Sequence, residues 1–212
     1  MTWNRIAGWS LILAPVGQLG GWAFQMLGGN EGAEPQSTIA HAVWLIGFVC
    51  LTIVCIELYR RVRSHGAAQV VARVSLGVAL ISVAASIAEM LVDLGTGFAV
   101  MGGANHDAID HQVRGIPGVE AILYGPGTQL VYLGFLVLII QLAVLKRIRM
   151  LTLLLVLATL VLFVLYEIVF DGPARQPIMP LACLCMWLAL APLGWPLLKR
   201  ATEPSEEKLV AP

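Results

Sequence analysis

The chain has 212 residues, 58% of them hydrophobic and 12% charged, with thirteen Lys and Arg balanced by thirteen Asp and Glu. A mean hydropathy of +0.84 lies outside the balance of a soluble domain; the net charge of zero says nothing about nucleic acid, since what matters is where along the chain the cations fall, and no nucleic-acid partner is expected. The expectation is an all-α, polytopic integral membrane bundle of six transmembrane helices, with the lipid bilayer as its first partner.

After the short polar start Met1 to Arg5, the apolar run continues past Trp22 and Phe24, too far for a cleaved leader, and predicts a first span over 6–27. Glu31, Glu34 and Pro35 then mark a loop, and a second span over 38–59 closes at Arg60, Arg61 and Arg63. A third span over 70–93 is followed by a long connection to residue 122. Its first part is apolar enough to lie in the interface. Further spans are expected over 123–145, 150–170 and 178–198, with a Glu- and Pro-rich disordered tail over 201–212. Eleven of the thirteen cations fall on one side of such a bundle and only Arg114 and Arg175 on the other, so the positive-inside rule predicts both termini cytoplasmic in a cell (inner) membrane.

The third span carries Ser75, Ser82, Ser86, Glu89 and Asp93 at helical spacing, a polar stripe on an otherwise apolar helix. With about 1.5 Å of rise per residue, Glu89 lies about 24 Å above Arg73, and Glu167 about 26 Å above Met150. Gln129 and His41 reach similar depths of about 26 and 28 Å from Lys146 and Arg60. Four helices thus bring polar side chains to one layer in the outer third of the bilayer. Asp93, Tyr124 and Asp171 lie near its rim. Ionisable groups at such depth are costly and are functional candidates by default. No Lys or Arg lies in the outer half of any span, so Glu89 and Glu167 must be protonated, share a proton, bind a cation or pair with His41. Glu89, Glu167 and Asp93 are therefore the predicted catalytic groups. His41, Ser86, Gln129, Trp22, Tyr124 and Trp187 are the predicted substrate contacts. Helix three, with Gly77, Ala79, Ala84, Ala85 and Ala88, is expected at the centre of the bundle.

Other features have simpler readings. Glu57, four residues before Arg61, predicts an i, i+4 ion pair near the cytoplasmic end. The segment His106-Asp107-Ala108-Ile109-Asp110-His111, if helical, faces His106 with Asp110 and Asp107 with His111, a weak metal-ligand pattern. A solvated loop explains it as well, and neither metal nor cofactor is expected. Cys50, Cys55, Cys183 and Cys185 lie in apolar runs without a C-x-x-C pair and read as packing residues. Pro15-Val16-Gly17-Gln18-Leu19 resembles Pro126-Gly127-Thr128-Gln129-Leu130, although the two do not sit at mirror-related depths as inverted repeats require.

The opening Arg5-Ile6-Ala7-Gly8, running straight into a first span with five more to follow, resembles uncharacterised six-helix bacterial membrane proteins grouped as domains of unknown function. That resemblance is one of layout and implies no activity. No P-loop, rhomboid G-x-S-G or dinucleotide fingerprint occurs. Three functions fit these residues. One is a membrane-embedded enzyme using carboxyl acid/base chemistry on a lipid-like or isoprenoid substrate, by analogy of chemistry with integral-membrane terpene cyclases. The others are a proton- or organic-cation-linked transporter or binding protein, and a non-catalytic accessory subunit. An enzyme needs one outer or lateral opening and a closed inner half, a transporter needs a path to both sides, and an accessory subunit needs no cavity.

Overall fold

The computed structural model describes residues 2–28, 34–62, 66–168 and 177–202, without the side chains of Glu167, Ile168 and Thr202. Arg63, Asp171, Arg175 and the tail beyond Thr202 lie outside the described residues. Within them the chain is all-helical: α1 (Trp3–Leu27), α2 (Gln36–Val62), α3 (Ala67–Met101), α4 (His106–Arg114), α5 (Val119–Leu123), α6 (Pro126–Val144), α7 (Met150–Ile168) and α8 (Ile178–Thr202). Four stretches are long and apolar enough to cross a membrane: Gln36–Val62, Ala67–Met101, Val119–Val144 and Ile178–Ala201. The apolar stretch of α7, Met150–Tyr166, is shorter. Helix α1 is long enough but diluted by Ser10, Gln18, Gln25 and four glycines.

The six long helices form a ring in the order α1, α2, α3, α6, α7, α8 and back to α1, and α2 also meets α6 across it. Helix α3 is therefore a member of the ring, not its centre. Its small residues serve one tight contact with α6 instead: a Cβ on Gly134 would lie 2.5 Å from the Ser75 carbonyl oxygen. Gly17 approaches Gly47 as closely, with a Cβ there reaching 2.6 Å from the Gly47 Cα, so α1 and α2 pack backbone to backbone. Between α6 and α7 the ring is at its loosest.

Helix α3 does not stop near Asp93 but continues to Met101, and its 35 residues make it about 52 Å long, well beyond a bilayer core of about 30 Å. Nothing breaks it at Gly95, because no proline follows and the helix is supported by α2, where Thr38 packs directly on Gly97. The long connection folds into the short helices α4 and α5, with Asn105 capping α4 through its side chain to the Ala108 N–H at 3.0 Å. Pro126 then opens α6 at its first turn, where the missing N–H costs nothing.

The buried apolar core gathers toward the end where the cations lie. Ala7 and Leu11, Val54 and Leu58, Ala79 and Val83, Leu138, Ile139 and Leu142, Val156, and Leu190 fill that half of the ring. There Glu57 accepts from Arg61 Nε at 2.9 Å and from Trp3 Nε1 at 2.8 Å, so the predicted i, i+4 pair forms and also ties α1 to α2. Arg61 further donates to the Leu193 carbonyl at 3.1 Å, which fastens α8 to the same knot. The opposite half is less filled.

Candidate functional site

Two adjoining cavities occupy that less filled half. The first, of about 300 Å³, is polar: Gln25, Glu34, Ser37, His41, Glu89, Asp93, Thr96, Gly97 and Tyr124 line it, and His106, Asp110, Val113 and Arg114 of α4 cover it. The second, of about 640 Å³, is apolar and aromatic, with Trp22, Trp44, Tyr124, Tyr132 and Phe163 among its walls. Both volumes are in the range of small-molecule sites. Tyr124 belongs to both, with its ring between them.

The polar chamber is built from the stripe on α3. Asp93 is held on two sides: Tyr124 donates its hydroxyl to Oδ1 at 2.9 Å, and His41 Nε2 lies 3.3 Å from Oδ2. The other ring nitrogen of His41, Nδ1, lies 2.8 Å from the Ser37 carbonyl oxygen. A carbonyl only accepts, so Nδ1 is the nitrogen that carries a hydrogen in this contact, and Nε2 is the one turned toward the Asp93 carboxyl. Glu89 lies one turn below on the same face and makes no hydrogen bond or ion pair among the described residues. Its carboxyl faces the chamber unoccupied by any protein partner.

Arg114, on α4 in the connection between α3 and α6, closes the chamber. Its guanidinium stacks 4.3 Å from the Tyr124 ring centroid, donates to Asp110 at 2.8 Å, and reaches Glu120 at 3.0 Å. The hydrogen bond to Asp110, reinforced by Glu120, holds the Arg114 pKa above its ordinary value, so it stays cationic. Even so, four carboxyl groups, of Glu34, Glu89, Asp93 and Asp110, face one arginine in this chamber.

The aromatic cleft is set by glycine and by α1. Gly21 leaves the space in which the Trp44 indole lies, and Trp44 Nε1 donates to the Gln18 carbonyl at 3.1 Å. Leu133 and Val164 are 56% and 54% exposed at the mouth between α6 and α7, so the cleft opens sideways through the loosest seam of the ring. Along one stripe of α1, Gln18 Nε2, Trp22 Nε1 and Gln25 Oε1 are buried without a hydrogen-bond partner. All three residues line a cavity. An unsatisfied buried polar group costs about 1–3 kcal/mol, which a bound hydrogen-bonding ligand would recover.

Of the residues expected from the sequence, Glu89, Asp93, His41 and Tyr124 come together in the polar chamber, and Gln129 and Trp22 line the cleft beside it. Ser86 does not reach either cavity. It is 1% exposed and donates to the Ser82 carbonyl at 3.3 Å, as serine commonly does inside an apolar helix. Ser82 is occupied as well, accepting from the Val131 N–H at 2.7 Å and donating to the carbonyls of Gly127 and Thr128. The lower part of the polar stripe is therefore a seam between α3 and α6. Trp187 lines neither cavity and is half-buried on α8. The side chain of Glu167 lies outside the described residues, and its helix packs on α8 and α6, not on α3.

In α4 the i, i+4 partner of Asp110 is Arg114, so the expected pairing of His106 with Asp110 does not form; His106 lies 3.6 Å from Asp107 instead. His111 does not line the chamber. Among the described residues no three His, Cys, Asp or Glu side chains converge as a metal site. The residues missed from sequence are Arg114, Glu34, Gln25, Gln18 and Trp44. Arg114 was detectable as a rare cation at the end away from the basic clusters, and Gln18, Trp22 and Gln25 as a polar stripe at i, i+4, i+7 on α1. Comparison with models of known protein families, with curated proteins and with solved structures returns no match.

Proposed function

We propose that the chain is a membrane-embedded enzyme that performs acid/base chemistry on a lipid-like or isoprenoid substrate in the outer leaflet of a cell membrane. In this reading all six long helices span the bilayer and both termini are cytoplasmic, as the cation distribution directs. The observation that carries it is the junction at Tyr124 between a carboxyl-rich chamber and an aromatic cleft open to the side. An amphipathic molecule fits that junction, with its chain in the cleft and its reactive end in the chamber.

Four carboxyl groups around one arginine oppose an anionic end such as a diphosphate. The reacting group is then neutral or cationic: an olefin, a hydroxyl or an amine. Glu89 supplies a proton to that group, and the pair of His41 and Asp93 one turn away restores it. Where a positive charge develops on carbon, the faces of Trp22, Trp44 and Tyr132 stabilise it. Tyr124 positions Asp93 and separates the two compartments.

The same features weigh against a transporter. A path to the cytoplasm along Ser86, Ser82 and Ser75 is filled by the contact of α3 with α6, and the buried core closes the inner half. The test is product formation. Purified protein in nanodiscs, given isoprenoid alcohols, polyenes and long-chain amines, should convert one of these classes as read by mass spectrometry. Glu89→Gln should lose that conversion while unfolding at the temperature of the wild type. Undiminished conversion by Glu89→Gln would falsify the role of this carboxyl and with it the enzyme reading.

A further inference from the structure

At the opposite end of the ring, where the cations gather, lies a cavity of about 520 Å³ whose charge has the opposite sign. Arg60, Arg61, Arg147 and Arg200 line it, and among the described residues Glu57 is the one carboxylate in its walls. That carboxylate is already engaged by Trp3 and Arg61. Arg61 is in turn fixed to the Leu193 carbonyl, and Arg147 donates to the Arg61 backbone carbonyl, so these two arginines build the wall. Arg60 stacks 4.8 Å from the Trp3 ring centroid, which orients its guanidinium without neutralising it. Arg200, in the last turn of α8, makes no hydrogen bond or ion pair among the described residues.

Gathering four guanidiniums around one hollow is repulsive unless an anion joins them. Arginine is suited to such an anion because its planar fork pairs with phosphate oxygens two at a time. The depth is also specific. Arg60 and Arg61 lie in the last turn of α2, Arg200 in the last turn of α8 and Asn4 in the first turn of α1, which puts the cavity at the level of lipid headgroups in a bundle of this length. Pro192 and Pro196 of α8 form its far wall.

We propose that this cavity is a binding site for a phosphate-bearing anion, held between Arg60 and Arg200 on the wall made by Arg61 and Arg147. Its natural source is the headgroup of an anionic phospholipid in the leaflet at the basic end, where basic pockets between membrane helices meet such headgroups. The site is separate from the carboxyl-rich chamber, and it stands whether or not that chamber is catalytic.

The test is native mass spectrometry of the purified full chain with phosphatidylglycerol, phosphatidylcholine and glycerol phosphate as probes. Wild type should retain phosphatidylglycerol in preference to phosphatidylcholine. The double variant Arg60→Gln, Arg200→Gln, which spares the Glu57 and Arg61 knot, should bind it about thirtyfold more weakly, given the usual gain per cation at a membrane surface. A control with as many charges removed from the same face outside the cavity, Arg5→Gln with Arg73→Gln, should stay within about twofold. Glycerol phosphate failing to displace the lipid identifies a lipid headgroup site, and displacement by glycerol phosphate identifies a site for soluble phosphate. Equal retention of the two lipids by wild type, or equal weakening in the control and the double variant, overturns the proposal.

Discussion

The two ends of this bundle handle ionisable groups in opposite ways. At the basic end Glu57 is 7% exposed and every oxygen of its carboxylate has a donor, one from Trp3 and one from Arg61. At the other end Glu89 faces a cavity with no partner, while Asp93, a single turn away, is held by His41 and Tyr124. A buried charge that is fully paired stabilises an arrangement of helices. One left unpaired beside a cavity does nothing for the fold and is a candidate for binding or chemistry.

The contrast predicts that removing each charge will be read by a different instrument. Glu89→Gln should lower turnover of whichever substrate class is found by about 10²- to 10⁴-fold, the usual contribution of a positioned acid or base, with no loss of thermal stability in detergent. The mirror experiment is Glu57→Gln. It leaves Arg61 with a weaker acceptor in a part-buried site and should destabilise by about 3 kcal/mol in a denaturation assay, without touching turnover except through the folded fraction. If Glu57→Gln were silent in stability and Glu89→Gln unfolded the protein, the assignment of the two ends would have to be exchanged.

Smaller effects sharpen the boundary between them. Gly134→Ala places a methyl 2.5 Å from the Ser75 carbonyl oxygen and 2.8 Å from the Ala79 nitrogen, and backbone cannot step aside. A loss of about 1–3 kcal/mol is expected, measured as a lower unfolding temperature, because the lower stripe of α3 is packing and not a channel. Tyr124→Phe removes one hydrogen bond from Asp93 and should cost about 1 kcal/mol. Its more telling readout is product distribution, since among the described residues Tyr124 alone borders both the chamber and the cleft. An unchanged distribution in that variant would separate the cleft from the reaction.

Much of the site was legible because depth along a membrane helix follows from rise per residue. Counting from the basic anchors brought His41, Glu89 and Gln129 to one layer, and Asp93 and Tyr124 to its rim, and the structure puts all five at the two cavities. Rotation about each helix axis is what counting misses. Ser86 shares the stripe with Glu89, yet it turns its hydroxyl back to the Ser82 carbonyl, while Ser82 is taken by the first turn of α6. Counting gives Glu167 the same height as Glu89, but α6 stands between α7 and α3 in the ring, and height alone says nothing about which helices are neighbours.

The long connection between α3 and α6 shows the same division. Its acids, histidines and lone arginine are plain in the sequence, and the spacing of Asp110 and Arg114 already permits an ion pair. That Arg114 also crosses to the Tyr124 ring and covers the chamber depends on where α4 is carried by the extension of α3 to Met101.

By itself, then, the sequence determined the helical, membrane-compatible character of the chain, the basic and acidic ends, and the depth of each polar group, because hydropathy, charge placement and helical rise are local properties. The order of the ring, the loose seam between α6 and α7, and the exposure of Glu89 to a cavity were decided only by tertiary packing. The reason is physical: lipid is as apolar as leucine, so burial alone does not choose a helix's neighbours. Close contact at Gly17, Gly47 and Gly134 does choose them, and it forms only between particular pairs of surfaces.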